Sequence, residues 1–190
     1  MKIVWLSAAT VMLVLSACRP AAARKPLDRE AQIRLALSAA PAAIAARATV
    51  ASMEGGGQLR VLRGGDNGWT CVPPNPGSAG ADPEPEPACF DANGLAFMEA
   101  FEAGRYPDAN KPGFSYMLQG GSAWSNVDPA ATKLPAGEKD YIHIPPHIMI
   151  LDAKMANESG LPLHEEHPDT RQPFVMFGAT PFAILIIPVR

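Results

Sequence analysis

Tyr116-Met117-Leu118-Gln119-Gly120-Gly121-Ser122-Ala123-Trp124-Ser125-Asn126-Val127-Asp128-Pro129 runs an apolar segment into a glycine-hinged polar loop. Tyr116, Met117 and Leu118 have the bulk of a half-buried strand, and Gly120-Gly121 permit backbone angles or close approaches that a Cβ forbids. The spacing therefore predicts a strand, a turn or bulge, and then four short polar side chains (Ser122, Ser125, Asn126, Asp128) interrupted by Trp124. Side chains of this kind bind ligands. They also bind their own backbone, in turns and helix caps. Both readings stay open for Gln119, Ser122, Asn126 and Asp128.

The surrounding chain has 190 residues, 47% of them apolar, which suits one domain with a substantial core. Sixteen Lys and Arg stand against 19 Asp and Glu, so there is no basic excess to attract nucleic acid through its phosphates. Twenty prolines and 16 glycines imply many turns and argue against a helical bundle.

At the amino terminus, Met1-Lys2 precedes the nearly unbroken apolar run Ile3 to Leu15, which is the layout of a secretory signal peptide and too short to span a bilayer. Leu15-Ser16-Ala17-Cys18 then resembles the lipobox of bacterial lipoproteins, where a small residue precedes the lipid-carrying cysteine. That resemblance implies cleavage after residue 17 and a diacylglycerol on Cys18, usually with a further acyl chain. Each buried methylene contributes about 0.8 kcal/mol, so two or three chains anchor a protein stably. An ordinary signal peptide cut near Ala21-Ala22-Ala23 is the alternative. Arg19 is not the aspartate that commonly retains lipoproteins in the inner membrane, which points to the outer membrane and its periplasmic face. The expected organisation is a leader over 1–17, a lipidated flexible tether over 18–27 and one folded domain over 28–190, touching membrane only through its lipid.

Within the domain, Asp28 reads as the cap of a helix with Ile33, Leu37 and alanines on one face. A short turn follows Pro41. Thr49–Met53 and Gln58–Leu62 flank Gly55-Gly56-Gly57 as a hairpin, and Trp69-Thr70-Cys71-Val72 reads as a further strand. Residues 73–87 hold six prolines and cannot pack a core. Cys71 and Cys89 bracket that loop and are the two thiols left once Cys18 carries lipid. In an oxidising compartment they are expected to pair, adding roughly 3 kcal/mol by closing the loop; a redox-active or metal-binding pair is the competing reading, although the wide spacing does not suit it. A second helix is expected from Asp91 or Asn93 to about Gly104, with Leu95, Phe97, Met98 and Phe101 facing inward. Tyr141–Ile144 and His147–Leu151 read as strands broken by Pro145-Pro146, residues 157–173 as a polar loop, and Phe174–Val189 as a terminal hairpin whose last strand is apolar on both faces. The sum is an α+β domain with a mainly antiparallel sheet of about six or seven strands and two main helices.

For chemistry, His164-Glu165-Glu166-His167 lacks the helical spacing of a zinc motif and reads as a solvated loop. His147, at the head of a buried strand, is a structural histidine or a ligand that meets the Asn126–Asp128 loop. The chain has no G-x-S-x-G elbow and no phosphate loop. Gly68-Trp69-Thr70-Cys71, Tyr116 to Gly120, Ser125 to Pro129, Pro146-His147-Ile148-Met149 and Thr180-Pro181-Phe182-Ala183 together make residues 35–189 resemble a widespread group of exported bacterial proteins without an assigned activity. The resemblance lends no catalytic residues. The leading expectation is a lipid-anchored envelope protein that binds a small molecule, ion or protein partner near Gly120–Asp128 and His147. The alternative is a periplasmic hydrolase, with or without a metal, using Asp128 and His147.

Overall fold

Asp28 does what its position promised: Oδ1 accepts from the Ala31 amide at 2.8 Å and starts α1 (Arg29–Leu37). In the computed structural model, residues 27–74, 83–84, 86–108 and 110–189 are described; the leader, Cys18 and residues 19–26 lie outside them. After Pro41 comes the single turn α2 (Ala42–Ala45). A hairpin follows, β1 (Thr49–Glu54) and β2 (Gln58–Arg63), joined through Gly55–Gly57, where Gly56 and Gly57 take φ of 75° and 78°. The fold continues with β3 (Thr70–Val72), β4 (Ala88–Phe90), α3 (Ala92–Glu102) and β5 (Gly113–Met117). Next come β6 (Gly121–Ala123), β7 (Ile142–Ile144), β8 (His147–Leu151), α4 (Ala153–Glu158), β9 (Phe174–Met176) and β10 (Ile184–Pro188).

Eight strands form one sheet in the order β2-β1-β3-β4-β5-β8-β10-β9, and β6 and β7 form a separate antiparallel ribbon. Every neighbouring pair in the sheet is antiparallel except β1 and β3. The chain is thus an α+β domain with a mainly antiparallel sheet. Because directly opposed residues share a face, the register sorts the core into two layers. One face carries Phe90, Ser115, Met149 and Ile186 in a row across four strands; the other carries Cys71, Cys89, Tyr116 and Ile148. On the second face, α1 packs Ala36 and Ile33 over Val50 and the cysteines, while α4 packs Ala156 over Val175 and Ala183. The first face is covered by Phe97 and Met98 of α3 and by Ala123, Ile142 and Ile144 of the ribbon. Burying each such large apolar side chain contributes roughly 1.5–3 kcal/mol.

The Cys71–Cys89 pair is a disulfide, its two residues directly opposite each other on β3 and β4. Helix α3 is fixed by a knot at its start: Asp91 Oδ1 accepts from Gly94 N at 2.7 Å and from Phe114 N at 3.0 Å. Helix and strand approach so closely there that a Cβ on Gly113 would lie 2.2 Å from Gly94 N. The helix ends at Gly104, with φ 64°.

The ribbon explains why the central stretch of sequence matters. Met117, the last residue of β5, faces His147, the first of β8. Between these two neighbours, residues 118–146 leave the sheet through Gly120 (φ 90°), return through Pro145-Pro146, and fold back as a flap over the first face. A Cβ on Gly120 would sit 2.8 Å from Ile144 O, so this crossing point admits only glycine.

The structure adds elements to those expected. β4 and β6 are three residues long, too short for alternation to be read, and α4 fills the gap between the expected strand ending at Leu151 and the loop expected from 157, taking the first two residues of that loop. β10 lies between β8 and β9, which accounts for its apolar character on both faces. Among the described residues no helix is long and apolar enough to cross a membrane.

Candidate functional site

Between the first sheet face, α3 and the flap lies a cavity of about 170 Å³. Its apolar wall draws one methionine from each of five elements: Met53 of β1, Met98 of α3, Met117 of β5, Met149 of β8 and Met176 of β9. Met thioethers are flexible and polarizable, so a wall of them adapts to an occupant where a branched aliphatic wall would not. Phe90, Phe101, Trp124 and Phe177 supply aromatic surface. Phe177 is held at φ 57°, a conformation that bulky residues rarely adopt. Its amide donates to Asn126 O at 2.7 Å, and its ring stacks on Phe101 with centroids 6.2 Å apart.

Polar groups enter this wall at a few points. Ser122, Ser125, Asp128, His147, Glu86 and Glu102 all line it. His147 is 1% exposed, and its Nδ1 lies 2.8 Å from Pro145 O. A carbonyl only accepts, so Nδ1 carries the proton and Nε2 is left as an acceptor. Burial pushes this imidazole below its ordinary pKa, and the hydrogen bond to Pro145 offsets part of that effect. Gly121 lies against the ring: a Cβ there would meet His147 Cε1 at 3.2 Å and Met117 Cε at 3.3 Å.

Ser122 has a different task. Its hydroxyl accepts from Glu84 N at 2.9 Å and donates to Glu84 O at 3.0 Å, pinning the returning end of the proline-rich loop to the flap. Glu86, two residues on, reaches the cavity wall. Burial, and next to it the charge of Glu84, hold the Glu86 carboxyl above its ordinary range. Glu84 in turn raises the Tyr141 hydroxyl by accepting its hydrogen bond. Tyr141 joins a small aromatic group, its ring 5.9 Å from Trp124 and 4.4 Å from His143.

Of the residues singled out from sequence, Ser122, Ser125, Asp128 and His147 therefore reach one cavity. Asn126 lies outside its lining: both Nδ2 protons are engaged, to Glu165 O at 2.7 Å and Val175 O at 2.9 Å, making it a buried staple between loop and β9. Gln119 donates to Ser38 O at 3.1 Å and borders an adjoining surface cleft. Asp128 Oδ1 accepts from Ala130 N at 2.9 Å, a local turn, and no hydrogen bond joins Asp128 to His147. Ser125 accepts from the amides of Val127 and Asp128 and donates to Glu166 Oε2 at 3.0 Å. His167 of the same acidic loop stands 2.8 Å from Glu138 and is largely solvated. Among the described residues, no three His, Cys, Asp or Glu side chains converge as a metal set.

No protein-family model, curated protein or solved structure matches the chain. The site is read from its own geometry. The methionines and Glu86 are the members that sequence reading passed over; each methionine looks like ordinary core in its own strand or helix, and only the sheet order brings them together.

Proposed function

We propose that this is a lipid-anchored protein of the bacterial cell envelope, held on the periplasmic face of the outer membrane through Cys18, whose domain binds a small, mainly apolar molecule in the methionine-lined cavity. The observation that carries the binding half is the cavity itself. A partly open, mainly apolar space of about 170 Å³ with a few polar residues in its lining is the usual form of a small-molecule site, and an engineered apolar cavity of about 150 Å³ suffices to hold benzene. The anchoring half rests on the lipobox resemblance of Leu15 to Cys18 and on the Cys71–Cys89 bridge, which suits an oxidising compartment.

Each half has its own test. Radiolabelled palmitate should be incorporated into the full chain and not into Cys18→Ser. For binding, Trp124 lines the cavity, so titration with neopentylbenzene should change tryptophan fluorescence saturably. The change should vanish in Ala131→Phe, which fills the space from the loop side. Absence of any saturable change sinks the binding half. Hydrolysis with Asp128 and His147 is the second reading, favoured only by their lining the same cavity; Asp128→Asn and His147→Gln would then each abolish turnover of a substrate.

A further inference from the structure

We infer that the cavity selects a small organic cation with an apolar body, its positive group seated at the mouth beside Glu86 and Glu84 with Trp124 at hand. This rests on the reading of the cavity as a small-molecule site and adds the charge of the molecule it takes.

Three observations converge on it. First, Glu86, Glu102 and Asp128 line the cavity, and among the described residues no Lys or Arg does. An anionic ligand would meet the Glu86 and Asp128 carboxylates, which discriminates against it as attraction favours the opposite charge. Second, four aromatic rings (Phe90, Phe101, Trp124, Phe177) and five thioethers stand in the wall among its aliphatic side chains. Ring faces attract a weakly hydrated cation, most strongly when water is excluded, and are the recognised means of binding quaternary ammonium groups.

The third observation concerns entry. Glu86, Gly121 and Ile144 border both the cavity and the adjoining surface cleft, so the two adjoin at these residues. Glu84 also borders that cleft, and the double hydrogen bond from Ser122 fixes its backbone there. The cleft's own basic group, Arg171, is engaged by Asp169 through two bonds of 2.8 and 2.9 Å, and His143 stands 3.6 Å from Asp140. Glu84 and Glu86 thus place carboxylates where the cavity meets the cleft. The disulfide-closed acidic loop acquires a role: it delivers Glu84 and Glu86 to the mouth.

The test compares three probes of similar size on the full chain by tryptophan fluorescence, against a protein-free blank. These are benzyltrimethylammonium, its neutral carbon isostere neopentylbenzene, and phenylacetate. The cation is expected to bind at least tenfold more tightly than the isostere, and phenylacetate more weakly than either. Glu86→Gln should reduce the cation's advantage over the isostere at least fivefold. Glu84→Gln, whose backbone bonds to Ser122 are untouched, should act in the same direction while keeping the thermal melt of the parent. Equal affinity for cation and isostere, or preference for the anion, overturns the charge selection and leaves the cavity reading standing. No saturable binding by any of the three overturns both.

Discussion

Met117 and His147 stand directly opposite each other on neighbouring antiparallel strands, and the backbone of Gly121 crosses in front of both side chains. A methyl group added there would press on the His147 ring, which its bond to Pro145 holds in place, and on the movable end of Met117. Gly121→Ala is therefore expected to cost about 1 kcal/mol, in the range of mild overpacking, measurable as a lower urea midpoint. Gly121→Leu should also abolish the fluorescence response to neopentylbenzene. A Leu variant that binds as the parent does would remove Gly121 from the cavity wall.

His147 gives stability a pH dependence whose sign follows from burial. Its folded pKa lies below the ordinary value, whereas in the unfolded chain the imidazole titrates near pH ~6.5. Between those two points the unfolded state binds more protons, so the contribution is complete above pH ~6.5 and declines as pH falls toward the folded value. Glu86 acts oppositely, since its raised carboxyl makes folding less favourable as pH rises through its folded value. In a Glu86→Gln background, urea midpoints measured from pH 7.5 to 5 should fall, and adding His147→Gln should flatten that slope. An unchanged slope would falsify this assignment.

Asn126 is expected to tolerate no replacement. Ala removes two donors from Glu165 O and Val175 O and leaves the buried Val175 carbonyl short of a partner, a loss of roughly 2–4 kcal/mol. Asp is near in shape yet aims carboxylate oxygens at the same two carbonyls, so it should destabilise more than Ala. Urea unfolding of the pair decides this, and an Asp variant as stable as the parent would contradict the staple.

Ala179 offers the opposite sign. It sits exposed at φ 58°, where an L side chain is strained and glycine is not. After allowance for the greater freedom of glycine in the unfolded chain, Ala179→Gly should stabilise by roughly 0.5 kcal/mol. The backbone bond from Ala179 N to Asn157 Oδ1, 2.7 Å, is open to glycine as well, so a thermal melt that falls would contradict the strain assigned to Ala179.

Cys71→Ala with Cys89→Ala should cost about 3 kcal/mol by freeing the loop between them. The same double variant should weaken binding of benzyltrimethylammonium, because Glu84 and Glu86 lose one of the two ties that hold them. Unimpaired cation binding would mean that Ser122 alone suffices.

Much of this architecture can be read from local signals. Asp28 and Asp91 announce α1 and α3, Gly104 stops the second, and three glycines mark the β1–β2 turn, since each is a short-range effect of one residue on its own backbone. β4, squeezed between Pro87 and Asp91, and β6 carry no periodicity of their own; pairing with distant strands makes them. α4 had a signal in Asp152, whose Oδ1 caps Met155 N at 3.0 Å, but the apolar run ending at Leu151 masked it. The site was less legible. The polar loop drew attention to Ser122 and Asp128, and His147 stood out at the head of its strand. Asn126 proved to serve the backbone, as short polar side chains in loops commonly do. The five methionines lie far apart in sequence, and no spacing rule connects residue 53 to residue 176.

The strand order has a consequence for how the chain becomes a protein. From β2 to β9 the sheet is laid down almost in the order of translation, with only the swaps of β1 with β2 and β9 with β10. Every hydrogen-bonding partner among β1 to β4, and both sulfurs of the bridge, are present before residue 113 has emerged. A chain delivered amino-terminus first can therefore complete and lock one half of its sheet while the other half is still in transit, presenting β4 as the template on which β5 and everything after it assemble.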